Sequence, residues 1–281
     1  MNLSIICFDS ENFNIKDTLE CGQVFRFRKF KEGYLVFSRD KVCYSYTLEN
    51  KTYVECEERD KPYFYNYFDL DRDYSEIVDS AVETNIDILT KSAKLGKGIR
   101  ILKQDQTETL FSFIISQNNN IPRIKGSLEK MCRSLGERKS FMGEEYFTFP
   151  DCEKLAEKGL EFFKDMGLGY RATYIKNLAS DIANGKINLG CFNDLPTNFL
   201  KKALTGIYGV GPKVADCVSL FGFNRTDSFP VDTWIQKVYQ QDFDGKLTDR
   251  NKIAEWFVNK FGKYSGYFQQ YLFYYKRSLE N

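Results

Sequence analysis

The hydrophobic period changes near residue 75, and that switch limits the folds open to the chain. Before it lie short runs rich in Phe, Tyr and Val: Val24 to Phe30, Gly33 to Ser38, Lys41 to Leu48 and Thr52 to Glu57. Lys31-Glu32-Gly33, Ser38-Arg39-Asp40 and Glu49-Asn50-Lys51 separate successive runs, as turns do in an antiparallel meander. Beyond residue 75 apolar residues recur at helical spacing. Helices are expected over 108–117, 171–184, 196–206, 212–221, 233–240, 250–260 and 265–279, with Tyr174, Ile175, Leu178 and Ile182 on one stripe before Asn184-Gly185. The reading is α+β: an antiparallel β domain over 1–75 and an all-helical region over 76–281. No repeat or low-complexity linker intervenes, so the two parts are expected to pack together.

What the chain lacks narrows its chemistry. It has no histidine, which removes imidazole bases and the hydrolase triads that need them. Its eight cysteines contain no Cys-x-x-Cys pair, so the usual zinc and iron–sulfur spacings are missing and reduced thiols are expected. No metal or other cofactor is implied. No apolar stretch approaches a membrane span and the start lacks a basic signal region, which reads as a soluble intracellular protein; a monomer is expected. The formal charge is only +1, yet residues 1–80 carry 11 basic against 16 acidic groups while 201–281 carry 12 against 8. Any anionic partner is expected at the C-terminal part.

The most informative segment is Leu204-Thr-Gly-Ile-Tyr-Gly-Val-Gly-Pro-Lys-Val-Ala-Asp-Cys217. One helix ends near Gly206, Gly209 and Gly211 permit a tight turn, and Pro212 sits where a first-turn proline opens the next helix. The result is a helix-hairpin-helix over about 196–221, whose bare backbone N–H groups suit a phosphate or a plain αα-hairpin turn. Lys213, in the first turn of the second helix, suits an amine nucleophile or a phosphate contact. Asp232, in Phe229-Pro230-Val231-Asp232-Thr233-Trp234, suits a helix cap or a carboxylate that stabilises positive charge.

Together these residues resemble the helix-hairpin-helix DNA glycosylases, specifically the 8-oxoguanine DNA glycosylase branch. Cys21-Gly22-Gln23-Val24-Phe25-Arg26, Ser116-Gln117-Asn118-Asn119-Asn120-Ile121-Pro122-Arg123 and Gly167-Leu168-Gly169-Tyr170-Arg171-Ala172 extend the likeness over most of the chain, in the same order. The resemblance implies a twisted antiparallel β domain followed by helical domains, and a bifunctional glycosylase and AP lyase that flips 8-oxoguanine out of duplex DNA. By it Lys213 is the nucleophile and Asp232 the catalytic carboxylate. Gly22 is the carbonyl that tests N7–H, Cys217 and Phe273 sandwich the base, and Gln269 reads its Watson–Crick edge. Asn118, Arg123, Tyr170 and Arg171 fill the gap opposite the lesion, and the Gly209 to Gly211 turn holds phosphate.

Two positions depart from the branch. Trp234 stands where it usually has histidine, and Lys276 replaces an acidic residue near the C-terminal helix; the ring is expected against the flipped nucleotide or its phosphate and the lysine to supply positive charge. Two rival functions share part of the pattern. A monofunctional alkylated-base glycosylase needs the hairpin and Asp232 but not Lys213, and a non-enzymatic DNA-binding module needs the hairpin alone.

Overall fold

A computed structural model describes residues 2–279. Five antiparallel strands, β1 (Leu3–Asp9), β2 (Phe27–Phe30), β3 (Gly33–Ser38), β4 (Lys41–Leu48) and β5 (Lys51–Glu57), form a sheet in the order β1-β5-β4-β3-β2. Alternation sends one set of side chains to each face. Val36, Cys43, Val54 and Cys56 face a core closed by α1 (Ile15–Glu20) and α2 (Lys61–Tyr67), through Ile15, Leu19, Phe64 and Tyr67. Leu35, Phe37, Val42 and Tyr44 occupy a second core.

That second core corrects the expectation of an all-helical remainder. β6 (Arg138–Phe141) and β7 (Glu144–Phe147) form a hairpin whose Phe141 and Tyr146 cover the sheet, Tyr146 stacking on Phe37 at 5.6 Å. Met142 and Gly143 both have positive φ, the signature of a two-residue type I′ turn. Strands of four residues carry too little alternation to be read without their partner. The expected first strand at Val24 is shorter than anticipated: Gly22 turns with φ +86°, Val24 and Phe25 enter the core, and pairing begins at Phe27. The outer strand is β1, whose run Leu3 to Asp9 pairs with β5 across the sheet edge.

The helical part begins with α3 (Ser75–Glu83) and α4 (Asp87–Leu95). There follow α5 (Gln106–Ser116), α6 (Ile121–Leu135), α7 (Cys152–Ala156), α8 (Leu160–Asp165), α9 (Arg171–Ala183), α10 (Thr197–Thr205) and α11 (Pro212–Phe221), then α12 (Thr233–Asp242), α13 (Arg250–Phe261) and α14 (Ser265–Ser278). α5 is buried on nearly every side, because Leu110, Phe111, Phe113, Ile114 and Ile115 meet neighbours all round.

Two polar links tie the sheet to the helices. Gln23, fully buried, donates to the Arg100 carbonyl at 2.7 Å and accepts from the Leu102 N–H at 2.9 Å. Arg26 pairs with Glu108 on α5 at 3.0 Å, and the Arg39 N–H donates to the same carboxylate oxygen at 2.7 Å. Burial pushes the Glu108 carboxyl up while Arg26 opposes the shift. Gln23 and Arg26 belong to the Cys21 to Arg26 motif, so the links that hold the two parts together also fix Gly22 between them.

Candidate active site

The hairpin between α10 and α11 turns where the glycines predicted it. Gly209 has φ +89°, and a Cβ there would stand 2.7 Å from Cβ and Cδ2 of Tyr174 on α9, so both conformation and space require glycine. Gly211 has an ordinary extended backbone, caps α11 without a side chain and would meet nothing within 4 Å. Its bareness leaves the N–H groups at the start of α11 open. Pro212 is the first residue of the helix and Lys213 the second.

Lys213, Asp232, Gly22, Cys217, Gln269 and Phe273 line one small cleft of about 50 Å³, with Cys21, Phe113, Phe221, Pro230 and Gln270 completing its walls. They arrive from the loop after α1, from α5, α11, the segment before α12, and α14. Lys213 and Cys217 are four residues apart on α11 and therefore share a face. Gln269 and Phe273 repeat that spacing on α14. Gln270 donates to the Cys21 carbonyl at 2.8 Å, which brings α14 against the Gly22 turn. A Cβ on Gly22 would lie 3.2 Å from the Phe273 ring, so the ring rides over bare backbone.

Burial sets the state of the thiol in the cleft. Burial pushes the Cys217 thiol up to about 11, with the Lys213 amine beside it pulling the other way. Cys217 therefore presents a neutral thiol near pH 7, suited to contact and not to attack. The Lys213 amine lies 5.5 Å from the centre of the Phe113 ring. Asp232 accepts the Ile235 N–H at 2.9 Å through Oδ1, so it caps α12 and also lines the cleft. The cap bond holds this carboxylate in place at the start of α12. Gln269 is 5% exposed, and its Oε1 is buried without a hydrogen-bond partner. A buried amide oxygen costs free energy unless something donates to it, so this wall carries an acceptor not used within the protein.

The remaining sequence-predicted residues lie outside the cleft. Asn118 is exposed with φ +46°, and Tyr170 is 52% exposed. Arg123 is exposed in the first turn of α6, where Asn120 caps the helix by accepting its N–H at 3.0 Å. Arg171 differs from Arg123: it is buried, its guanidinium donates to the carbonyls of Gln117 and Asn118, and it lies 4.5 Å from the Tyr170 ring centre. It clamps the loop that presents Asn118. Gln117 joins this loop to the hairpin, its Nε2 donating to the Gly209 carbonyl at 2.9 Å.

Trp234 is half-buried at the second position of α12, with the Lys237 amine 5.3 Å from its ring centre. Lys276 is paired with Asp242 at the far end of α12 at 3.0 Å, so its charge is engaged within the protein. Sequence reasoning overlooked Arg277, whose guanidinium lies 5.5 Å from the centre of the Phe273 ring. Its spacing of four from Phe273 on a helix was the available signal. Phe113 and Phe221 were also overlooked, since aromatic residues on buried helices look alike whether or not one edge borders a cleft.

Among the described residues, no group of Cys, Asp and Glu could hold a metal ion, and no helix is long and apolar enough to cross a membrane.

Comparison with known proteins gives these positions a context. Residues 5–110 match a family described as 8-oxoguanine DNA glycosylase, N-terminal domain. Residues 111–261 match the HhH-GPD superfamily base excision DNA repair proteins. A probable N-glycosylase/DNA lyase of Methanothermobacter thermautotrophicus is 30% identical over 73% of this chain and 71% of its own length. The N-glycosylase/DNA lyase of Saccharomyces cerevisiae is 33% identical over 70% of this chain, which spans 55% of the yeast protein. The crystal structure of Clostridium acetobutylicum 8-oxoguanine glycosylase/lyase, bound to double-stranded DNA with cytosine opposite 8-oxoguanine, is 37% identical. It superposes with a TM-score of 0.91 over all of both chains.

Proposed function

This chain belongs to the 8-oxoguanine DNA glycosylases of the HhH-GPD superfamily, and we propose that it excises 8-oxoguanine from duplex DNA and cuts the strand through a Schiff base on Lys213. The observation that carries the site assignment is the convergence of Lys213, Asp232 and the unpartnered Gln269 Oε1 on one cleft. An amine nucleophile, a carboxylate and an unsatisfied acceptor meet there although 56 positions separate the first from the last of them.

A glycosidic bond inside the stack is beyond the reach of any side chain, so the nucleotide must first turn out of the helix. The flipped base enters between Cys217 and Phe273. Gln269 Oε1 then accepts from the Watson–Crick edge, and the Gly22 carbonyl accepts the N7–H that 8-oxoguanine has and guanine lacks. A mismatch at that carbonyl leaves a buried acceptor facing a lone pair, which is how discrimination arises.

Lys213 Nζ bonds to C1′ as the C1′–N9 bond breaks, and the base leaves with the electron pair and gains a proton. Asp232 stabilises the positive charge that builds on the sugar. Loss of an amine proton and opening of the C1′–O4′ bond give the Schiff base. Removal of a C2′ proton then expels the 3′ phosphate oxygen, which cuts the strand. Water later releases the sugar fragment and restores the amine. The open N–H groups at the start of α11 hold backbone phosphate throughout.

The test is to incubate the protein with duplex containing 8-oxoguanine in the presence of borohydride, which reduces a Schiff base to a stable amine. A covalent protein–DNA adduct is expected from the wild type and none from Lys213→Gln. Base release without an adduct in the wild type overturns the lyase reading in favour of a monofunctional glycosylase.

A further inference from the structure

Tyr208 has no part in the chemistry above, yet it is 58% exposed at the last position before the hairpin's Gly209. One exposed ring is ordinary on a protein surface, but this one belongs to a row of three. Its ring meets Tyr174 edge-on, with centroids 5.1 Å apart at 87°, and Tyr174 meets Tyr170 in the same manner at 5.8 Å and 77°. The middle ring is half-buried and also blocks any side chain at Gly209, while the two outer rings are exposed. The hairpin and the Tyr170 loop are further joined by Gln117, which donates to the Gly209 carbonyl and whose own carbonyl accepts from Arg171. Tyr170 and Tyr208 are thus two ends of one braced aromatic row.

We propose that Tyr208 is a DNA contact, its ring lying against the sugar and its hydroxyl donating to a phosphate of the backbone beside the one held at the start of α11. The inference rests on the DNA-binding reading of the hairpin given above. Three features favour nucleic-acid backbone over another occupant. The residue adjoins the open N–H groups of the turn. Residues 201–281 carry the chain's basic excess, 12 basic groups against 8 acidic. A tyrosine offers a hydroxyl donor and an apolar ring together, which suits alternating phosphate and sugar. Bracing by Tyr174 means the ring is ordered before DNA arrives, so little conformational freedom is lost on contact.

The contact is sequence-independent, which fixes the experiment. In a Lys213→Gln background, dissociation constants are measured for duplexes with and without 8-oxoguanine, comparing Tyr208, Tyr208→Ala and Tyr208→Phe. Tyr208→Ala is expected to weaken both duplexes alike by about tenfold, and Tyr208→Phe to recover part of that loss. Single-turnover excision at saturating enzyme, with Lys213 restored, is expected to stay within about twofold of wild type. Unchanged affinity in Tyr208→Ala overturns the proposal. So does a fall in the saturated rate with affinity intact, because it makes the ring a support for α11. If the wild type binds duplex DNA yet never excises 8-oxoguanine, the substrate reading fails while the Tyr208 contact stands or falls on the undamaged duplex alone.

Discussion

The cleft and the exposed strip around Asn118 are built on opposite terms. In the cleft, side chains from five places in the chain converge with buried polar atoms unspent, as Gln269 Oε1 shows. On the strip, the backbone is what is organised: Arg171 and Gln117 expend their donors on carbonyls so that Asn118, Tyr170 and Tyr208 stand out from the surface. A buried site gains specificity from groups that cannot be satisfied except by the right ligand. An exposed one competes with water at every contact, so it gains mainly from being rigid in advance. The same residue type therefore does different work in the two regions. Arg123 is exposed to solvent, whereas Arg171 is committed to holding the loop.

This contrast can be broken most decisively at Lys213. Replacement by Gln is expected to lower base release by on the order of 10⁴-fold or more while binding to damaged duplex changes little, if the backbone N–H groups of the hairpin carry the phosphate grip as proposed. Gel-shift affinity and single-turnover rates on one preparation check both halves. Comparable losses in the two would make the lysine a surface contact.

Asp232→Asn comes next, at roughly two to four orders of magnitude in single-turnover rate, the range for removal of a positioned carboxylate. Asparagine also accepts the Ile235 N–H as a good cap, so the melting temperature is expected to hold. A large fall in melting temperature with a modest rate loss would assign Asp232 to the helix alone.

Phe273 sharpens the comparison from the cleft side. It is only half-buried, so truncation to Ala is expected to cost less stability than the ~3 to 5 kcal/mol of a core phenylalanine. The lost face against the base is expected to reduce excision by about 10- to 100-fold, from stacking of about 1 to 3 kcal/mol. Denaturant titration beside excision rates decides, and equal loss after correction for folded fraction would return the ring to a packing role.

The smallest effects test the strip. Wild-type excision is expected to be faster opposite cytosine than opposite adenine, because cytosine offers O2 and N3 acceptors to an arginine. Arg123→Ala is expected to reduce that preference by about 1 to 3 kcal/mol. Arg171→Ala is expected to slow excision opposite every base alike and to cost about 1 to 3 kcal/mol of stability, because two partly buried carbonyls lose their donor. Rates against the four opposite bases, measured for both variants, separate a reader from a clamp. Identical profiles would erase the difference between the two arginines.

Much of this was legible without coordinates because it is local. Gly209 and Pro212 define the hairpin by the backbone conformations they allow or forbid, and α10 and α11 span 197–205 and 212–221, close to the periods that announced them. The meander of β3, β4 and β5 followed from alternation and turns. Four ordered motifs gave the family, and with it the list of residues to look for. Short-range signals failed where an element draws its stability from elsewhere: β1 and the β6–β7 hairpin exist because the sheet offers them an edge and an aromatic face.

The sequence by itself determined the two-part architecture, the hairpin and the identity of the candidate groups, since all of these depend on period, backbone freedom and residue type. Only the tertiary structure decided which groups meet. Phe273 is 251 positions from Gly22, and nothing in the order of residues says that its ring lies over that turn; the Gln270 bond to the Cys21 carbonyl does. The same holds for Arg171 and Arg123, which look equivalent as letters. One is buried among carbonyl acceptors and the other faces solvent, because burial and donor satisfaction are properties of the packed chain.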